Sequence, residues 1–224
     1  MPWAEEVPAI VHAWYLGNAT GEAIGDVITG RVNPSGRLSL TFPRRLEDVP
    51  SHGHFHSEHG KVRYAEDLFV GYKHFHHRKI SPQFYFGYGL SYTTFAYSDL
   101  VLSVPTLSAG DFALTASVTI MNTGLVAGTE VVQLYVALPA TSELTHPPLM
   151  LKAFAKVVDL APGQSTVVAL ALDKYAVSYW EERIARWVVE SGVYIIRVGK
   201  SSAPEDLVLS GEFVVEKGFE WNGL

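Results

Sequence analysis

The sequence contains no cysteine, and it contains no apolar run long enough to cross a membrane. Without cysteine the chain has no disulfide, no thiolate ligand for a metal ion and no thiol nucleophile. A membrane-spanning helix needs about 20 consecutive apolar residues. Positive charge is not in excess either, since 17 Lys and Arg stand against 23 Asp and Glu. The composition therefore gives no reason to expect a membrane or a nucleic acid as a partner.

The chain has ample material for a packed core, since 48% of its residues are hydrophobic and 12% are aromatic. Such a composition argues against disorder, and 224 residues are enough for one large domain or two modest ones. The first eight residues carry early acids and two prolines, which is not the pattern of a signal peptide. They are typical of the interior of a longer protein, and the sequence leaves the cellular compartment open.

Residues 1–45 predict one strand–helix–strand unit. Ala9–Tyr15 is a short apolar run of β-branched and aromatic residues, typical of a strand buried on both faces. Thr20 signals a helix start, and the following apolar residues share one helical face until Gly30 ends the helix. Arg37–Phe42 alternates as a second strand. Because one such unit cannot bury its own apolar surface, we interpret it as the remnant of an α/β domain.

Residues 46–92 show little periodicity and predict an extended linker between domains. The linker is rich in histidine, and imidazoles two residues apart on an extended chain lie on one side, as a metal site requires. The alternative is a solvated linker without a metal ion, and this is the interpretation we favour. The histidines concerned are His52, His54, His56 and His59, with His74, His76 and His77 further along.

Residues 93–224 show the pattern of an all-β domain. Leu114–Ile120 alternates strictly between apolar and polar residues, as a sheet with one face in the core requires. About seven short strands separated by turn residues favour an immunoglobulin- or fibronectin type III-like β-sandwich. Tyr194, at the start of a late strand, predicts a tyrosine corner. The fold class expected is mainly β, with the partial α/β unit and the long linker in front of the sandwich.

Several motifs, in order along nearly the whole chain, resemble the C-terminal portion of family 3 glycoside hydrolases, the β-glucosidase group, in its fungal form. Residues 33–43 (NPSGRLSLTFP) resemble the end of the family's α/β sandwich domain. The segments 64–72 (YAEDLFVGY) and 86–95 (FGYGLSYTTF) resemble its interdomain segment. Residues 122–136 resemble its fibronectin type III-like domain. A looser match follows, with Ala153 where the family usually has glycine.

The resemblance implies a complete enzyme that releases terminal β-linked glucose with retention, without a metal ion or another cofactor. Retaining hydrolysis needs two carboxylates roughly 5–5.5 Å apart. In the family these are an aspartate and a glutamate from the domains that precede this portion. No Asp or Glu here stands in either motif, so we predict no catalytic, cofactor-binding or metal-binding residue and an inactive chain when alone. The implied partners are those catalytic domains, or a second copy bound through the exposed α/β remnant, with β-glucoside bound only by the complete enzyme.

Some residues admit two interpretations. Trp14 and Tyr15 could stack on sugar rings, although packing in the core or between domains is the interpretation we favour. Asp173, Glu181 and Glu182 could imitate paired carboxylates, but their place among turn residues favours a solvated edge. The alternative function for the whole chain is a non-catalytic β-sandwich module that binds carbohydrate or protein.

Overall fold

The computed structural model describes residues 1, 3–108, 110–140 and 144–223. From residue 95 onward the described chain is largely strand, while the preceding part combines short helices with irregular segments. The mainly β fold class is therefore confirmed. None of the helices in the described ranges has the length and apolar character needed to cross a bilayer.

The regular elements follow one another along the chain in a simple order. They are helix α1 (Thr20–Ile28), helix α2 (Tyr72–Arg78), strands β1 (Phe95–Leu102), β2 (Thr106–Ser108), β3 (Asp111–Asn122), β4 (Gly128–Ala137), β5 (Met150–Leu160) and β6 (Ser165–Asp173), helix α3 (Lys174–Val177), and strands β7 (Tyr179–Glu181), β8 (Arg186–Val189), β9 (Gly192–Gly199), β10 (Leu209–Val215) and β11 (Phe219–Trp221). Single 3-10 turns occur at Leu46–Asp48 and Pro204–Asp206.

Two antiparallel sheets form the sandwich. In the first sheet β3 lies between β1 and β6, and β2 also pairs with β3. The second sheet has the order β10-β9-β4-β5, and a small third sheet joins β11, β8 and β7. Because side chains alternate along a strand, every second residue points into the space between the two large sheets. The largest fully buried side chains are Tyr135, Tyr194, Phe112, Ile120, Leu134, Ile196, Val118, Val132, Val136, Val177, Val189 and Val198.

The tyrosine corner predicted at Tyr194 is confirmed. The hydroxyl of this fully buried side chain lies 3.0 Å from the carbonyl oxygen of Glu190 and 3.2 Å from that of Val177. One hydroxyl proton serves both acceptors, so the corner fastens the start of β9 to the end of α3. Burial raises the pKa of Tyr194, with the charge of Glu190 adding to the effect.

The first 45 residues contain the predicted helix but not a predicted strand at residues 9–15. This stretch is irregular, and it makes no backbone–backbone hydrogen bond in the described part of the chain. A strand buried on both faces takes its hydrogen bonds from neighbouring strands, and the described chain supplies none beside it. The second predicted strand, Arg37–Phe42, is also not a strand of a regular sheet. It pairs irregularly with residues 83–88 instead.

The segment 46–92, predicted as an extended linker, contains a helix that the sequence did not indicate. Helix α2 has two turns and places one apolar residue, Phe75, in the interior, with the side chain 3% exposed. Because only one residue of this helix is buried, its sequence lacks the apolar residues at spacings of three and four that would predict a helix. The part of this segment before α2 is mostly exposed and irregular.

Candidate functional site

The site that the structure supports is an interface that joins residues 3–45, which we call the N-terminal segment, to the sandwich. Its centre is residues 84–95, which we call the seam. The seam pairs with residues 38–42: the Leu38 amide donates to the Tyr88 carbonyl at 2.9 Å, and the Gly87 amide donates to the Leu38 carbonyl at 2.7 Å. The Phe42 amide donates to the Phe84 carbonyl at 2.9 Å. The N-terminal segment is thus fixed to the seam by its backbone.

Asn33 binds the seam on one side and the sandwich on the other. Its Oδ1 accepts hydrogen bonds from Ser91 Oγ at 2.9 Å and from the Tyr92 amide at 2.8 Å. Its Nδ2 donates to the Ala127 carbonyl at 2.9 Å. In addition, the Tyr92 hydroxyl donates to the Val27 carbonyl at 2.6 Å and so holds the end of α1. One amide side chain therefore connects three separate stretches of the chain.

A buried ion pair connects the same segment to β4. Nη2 of Arg37 lies 3.0 Å from Oε1 of Glu130, and the side chains are only 8% and 4% exposed. Oε1 of Glu130 also accepts the Val131 amide at 2.8 Å. Removing two charges from water costs several kcal/mol per ion unless their geometry compensates. This cost offsets much of the attraction between the two charges, so the intact pair adds little net stability although the loss of one partner alone is costly.

Gln133 forms the next polar contact along β4. Its Nε2 donates to the Lys200 carbonyl at 2.6 Å, and its Oε1 accepts from the Tyr135 hydroxyl at 2.6 Å. Gly87 of the seam has φ of 81°, and a Cβ there would collide with the amide of Gln133. Both the backbone angle and the close approach thus require glycine at this position. Burial raises the pKa of Tyr135 well above its usual value.

The far end of the seam is fixed to the sandwich through Asn122, which is completely buried. Its Oδ1 accepts from Thr93 Oγ1 at 2.6 Å and from the Gly124 amide at 3.0 Å. Its Nδ2 donates to the carbonyls of Val126 at 2.8 Å and Leu160 at 2.7 Å. All of the hydrogen-bonding capacity of this amide is used, as a buried polar group requires.

Helix α2 docks on the sandwich by two polar contacts. The Tyr72 hydroxyl accepts the Leu151 amide at 2.8 Å. Nε2 of His76 lies 2.6 Å from the Ser202 carbonyl, so this nitrogen carries a proton and donates it. Burial lowers the pKa of His76, with the Ser202 carbonyl opposing the shift. His76 is therefore a packing residue.

The outer surface of the N-terminal segment is apolar and uncovered. Trp14 is 52% exposed and Tyr15 is fully exposed, and α1 has no buried residue at all. Farther along, Phe55 is 76% exposed and Tyr64 is 85% exposed. Soluble monomers rarely expose large apolar patches without an interaction partner. The other large exposed side chains before residue 71 are Trp3, Val7, Ile10, Val11, Leu16, Ile28, Val32, Leu40, Leu46, Val62, Leu68 and Val70.

Two of the three acidic residues considered as a possible carboxylate pair, Asp173 and Glu181, have separate structural roles, whereas Glu182 is exposed as expected. Oδ1 of Asp173 accepts the Tyr175 and Ala176 amides at 2.9 and 3.2 Å and so caps helix α3. Glu181 forms an ion pair with Arg183 at 2.9 Å. Hydrogen bonds from Arg183 hold the pKa of Glu181 below its usual range. The expectation of a solvated edge is wrong for Glu181, because its side chain lies against the protein and only 8% of the residue is exposed.

The histidines do not assemble into a metal site in the described chain, where no group of three or more His, Asp or Glu side chains has a suitable arrangement. His76 faces the sandwich, whereas His52, His54, His56 and His59 lie in the exposed stretch before α2. The sequence does not mark Asn33, Glu130 or Gln133 as contact residues of an interface. The available signal was polar residues among the apolar residues of a strand, since Glu130 and Gln133 are buried in β4.

Two family models match the chain. The glycosyl hydrolase family 3 C-terminal domain matches residues 1–92, and the fibronectin type III-like domain matches residues 130–202. The first match ends within the seam, and the second runs from β4 to just past β9.

Named relatives and solved structures match along the whole chain. The chain is 45% identical over its full length to "Probable beta-glucosidase I" of Aspergillus niger and 42% identical to "Probable beta-glucosidase K" of Emericella nidulans. It spans only 27% and 25% of these relatives. The β-glucosidase of Kluyveromyces marxianus in complex with glucose superposes with a TM-score of 0.90 at 43% identity, over 100% of this chain and 26% of that one.

A bacterial structure shows the same similarity. β-Glucosidase 3B of Thermotoga neapolitana in complex with glucose has a TM-score of 0.82 at 40% identity, over 94% of this chain and 28% of that one. A fungal and a bacterial enzyme thus both superpose on nearly the whole of this chain. The chain belongs to glycoside hydrolase family 3, and it corresponds to the C-terminal part of the family's β-glucosidases.

Proposed function

We propose that this chain is the bracing portion of a retaining β-glucosidase and that it has no catalytic activity alone. The complete enzyme would release terminal β-D-glucosyl residues from β-glucosides. In this proposal residues 1–45 are the remnant of the α/β domain, residues 46–92 are the linker, and residues 93–224 form the sandwich. The catalytic aspartate and glutamate would come from the part that precedes this chain, so none of its own residues is assigned a catalytic, cofactor or metal role.

One observation carries the proposal: the same segment is firmly fixed on its inner side and uncovered on its outer side. The inner side has the polar contacts of Asn33 and Arg37. The outer side has the apolar residues around Trp14 and Tyr15. A surface held rigidly by one domain and left apolar toward solvent fits a second domain. We infer that this second domain is the part that precedes the matched region in family 3 enzymes, since the relative is almost four times as long as this chain.

Co-purification tests this proposal. The tagged chain is mixed with the complementary N-terminal part of the Aspergillus niger relative, ending where its match to this chain begins. We expect a one-to-one complex, and we expect the substitutions Trp14→Asp and Tyr15→Asp together to weaken it at least tenfold. Val167→Asp is the matched control, because Val167 is an exposed apolar residue of β6. No complex, or equal weakening by both variants, would refute the proposed interface.

A second copy of the chain is another occupant of this surface when the catalytic part is missing. Exposed apolar groups and unpaired backbone favour association. We therefore expect the isolated chain to sediment as a dimer at micromolar concentration and the Trp14→Asp, Tyr15→Asp variant to sediment as a monomer. A wild-type chain that remains monomeric at all accessible concentrations would contradict self-association.

A further inference from the structure

A cleft of about 350 Å³ opens where the seam meets the turn at Pro204–Asp206. Pockets that bind small molecules have volumes of about 300 to 1,000 Å³, so this one suits a ligand of the size of one sugar ring or two. Its wall combines aromatic with charged side chains: Phe84, Tyr85, Tyr88, Arg44, Glu205 and Asp206.

The aromatic side of the cleft is a fixed platform. The rings of Phe84 and Tyr88 stack, with centroids 5.6 Å apart and an angle of 24° between their planes. Phe42 packs edge-on against Phe84 at 6.3 Å. The backbone on both sides of Tyr85 is held, because the carbonyls of Phe84 and Tyr88 accept amides of residues 38–42. The platform therefore needs no reorganisation to receive a ligand.

The charged side of the cleft retains hydrogen-bonding capacity. Nε of Arg44 donates to the Pro82 carbonyl at 3.3 Å, which orients the guanidinium. Asp206 is already occupied by Ser201 Oγ at 2.5 Å and by Lys200 Nζ at 3.3 Å. Within the described ranges, no protein group pairs with the terminal nitrogens of Arg44 or with the carboxylate of Glu205. One cation and one anion are thus available to the same ligand.

We propose that this cleft binds a neutral pyranose sugar. A pyranose presents an apolar C–H face, which matches the rings of Tyr85 and Tyr88, and hydroxyl groups, which both donate and accept hydrogen bonds. The Arg44 guanidinium donates to hydroxyl oxygens, and the Glu205 carboxylate accepts hydroxyl protons. The charges of Arg44 and Glu205 balance, so neither an anionic nor a cationic ligand gains affinity from the net charge of the cleft. The choice of a β-glucoside unit among pyranoses rests on the proposed function.

Calorimetry or ligand-observed NMR with methyl β-D-glucopyranoside on the complete 224-residue chain tests this site. Saturable binding is expected with a Kd of about 1 to 10 mM, as suits a ligand with few heavy atoms. Arg44→Gln and Glu205→Gln should each weaken binding at least fivefold. The matched controls are Arg63→Gln and Glu216→Gln, which change the same charges at exposed positions outside the cleft.

Tyr88→Phe provides a third arm, because it keeps the stacking ring and should leave binding within twofold of wild type. Thermal unfolding of each variant establishes that the chain is folded when its binding is measured. Three results would overturn the proposal: no saturable binding, equal binding by wild type and both cleft variants, or tighter binding of D-glucuronate than of the neutral sugar. The catalytic part is absent from this experiment, so failure here would leave the bracing function untouched.

Discussion

Arg37 and Glu130 are 93 residues apart in sequence, and their side chains meet at 3.0 Å in a buried ion pair. One partner belongs to the N-terminal segment and the other to a central strand of the sandwich. The pair therefore couples the two parts into one unit. If the N-terminal segment moved away from the sandwich, each charge would lose its buried partner. This energetic cost opposes independent movement of the two parts.

Replacing Arg37 tests this coupling. Arg37→Met should lower the free energy of unfolding by about 3 to 5 kcal/mol, because Glu130 is left as an uncompensated buried charge. Urea unfolding followed by circular dichroism measures the change. Arg31→Met is the control, since Arg31 pairs with Asp26 at 2.7 Å but is 73% exposed. An exposed pair contributes about 0 to 1 kcal/mol, so equal losses in the two variants would contradict the account.

The tyrosine corner gives a second prediction. Tyr194→Phe removes the hydroxyl that binds the Glu190 and Val177 carbonyls and should cost about 1 to 3 kcal/mol of unfolding free energy. Tyr175→Phe is the comparison variant, because the Tyr175 ring is 45% exposed. Its effect should lie within about 0.5 kcal/mol of zero. The corner would have no stabilising role if the two variants had the same midpoint in urea.

A third prediction concerns Gly87. Alanine at this position needs a left-handed backbone, which costs about 1 to 2 kcal/mol, and it displaces the amide of Gln133 from two hydrogen bonds. Gly110→Ala has the same φ of 81° and meets nothing within 4 Å. We expect Gly87→Ala to lower the free energy of unfolding by about 1 to 3 kcal/mol more than Gly110→Ala does, because only Gly87→Ala breaks the hydrogen bonds of Gln133. Equal unfolding midpoints would show that Gln133 moves without cost.

Lys152 gives a prediction that depends on pH. Burial, with a smaller contribution from Lys73, lowers the pKa of Lys152 to about 8 from 10.5. Between pH 8 and 10.5 the Lys152 side chain binds a proton more tightly in the unfolded chain than in the folded one, so the free energy of unfolding rises with pH in this range. The destabilisation caused by burying Lys152 is therefore greatest below pH 8. Lys152→Met should therefore be more stable than wild type at neutral pH by about 1 to 2 kcal/mol, allowing for partial exposure of the side chain.

This stability difference should shrink as the pH rises from 8 toward 10.5. Urea titrations across this range measure it. Lys156→Met, at an exposed position of the same strand, controls for the loss of one lysine charge. A difference between wild type and Lys152→Met that stays constant over the range would contradict the shifted pKa.

The sandwich could be read from the sequence because its strands carry their own pattern. Leu114–Ile120 alternates, and this alternation lies within β3, whose inward residues form the core. Tyr194 could be placed because a tyrosine at the start of a late strand has one common role in such sandwiches. In these strands the residues that form the local apolar pattern are also the residues that pack in the core, so the pattern predicts the structure.

The interface could not be read in the same way. Ala9–Tyr15 has the composition of a buried strand, yet it lacks the neighbours that would make it one. Helix α2 has one buried residue, so its sequence shows no helical periodicity of apolar residues. Asn33 and Gln133 act through partners at distant positions in sequence, at Ala127 and Lys200 for example. Pairing over such separations leaves no local signal.

We propose that this chain braces a catalytic part that it does not contain. The most direct test of this proposal is hydrolysis of an aryl β-glucoside by the chain, by the complementary N-terminal part of the Aspergillus niger relative, and by their mixture. We predict no turnover by the chain alone and turnover by the mixture at least tenfold above the sum of the two parts. Turnover by the purified chain that survives re-purification, or no gain on mixing two parts that form a complex, would contradict the account.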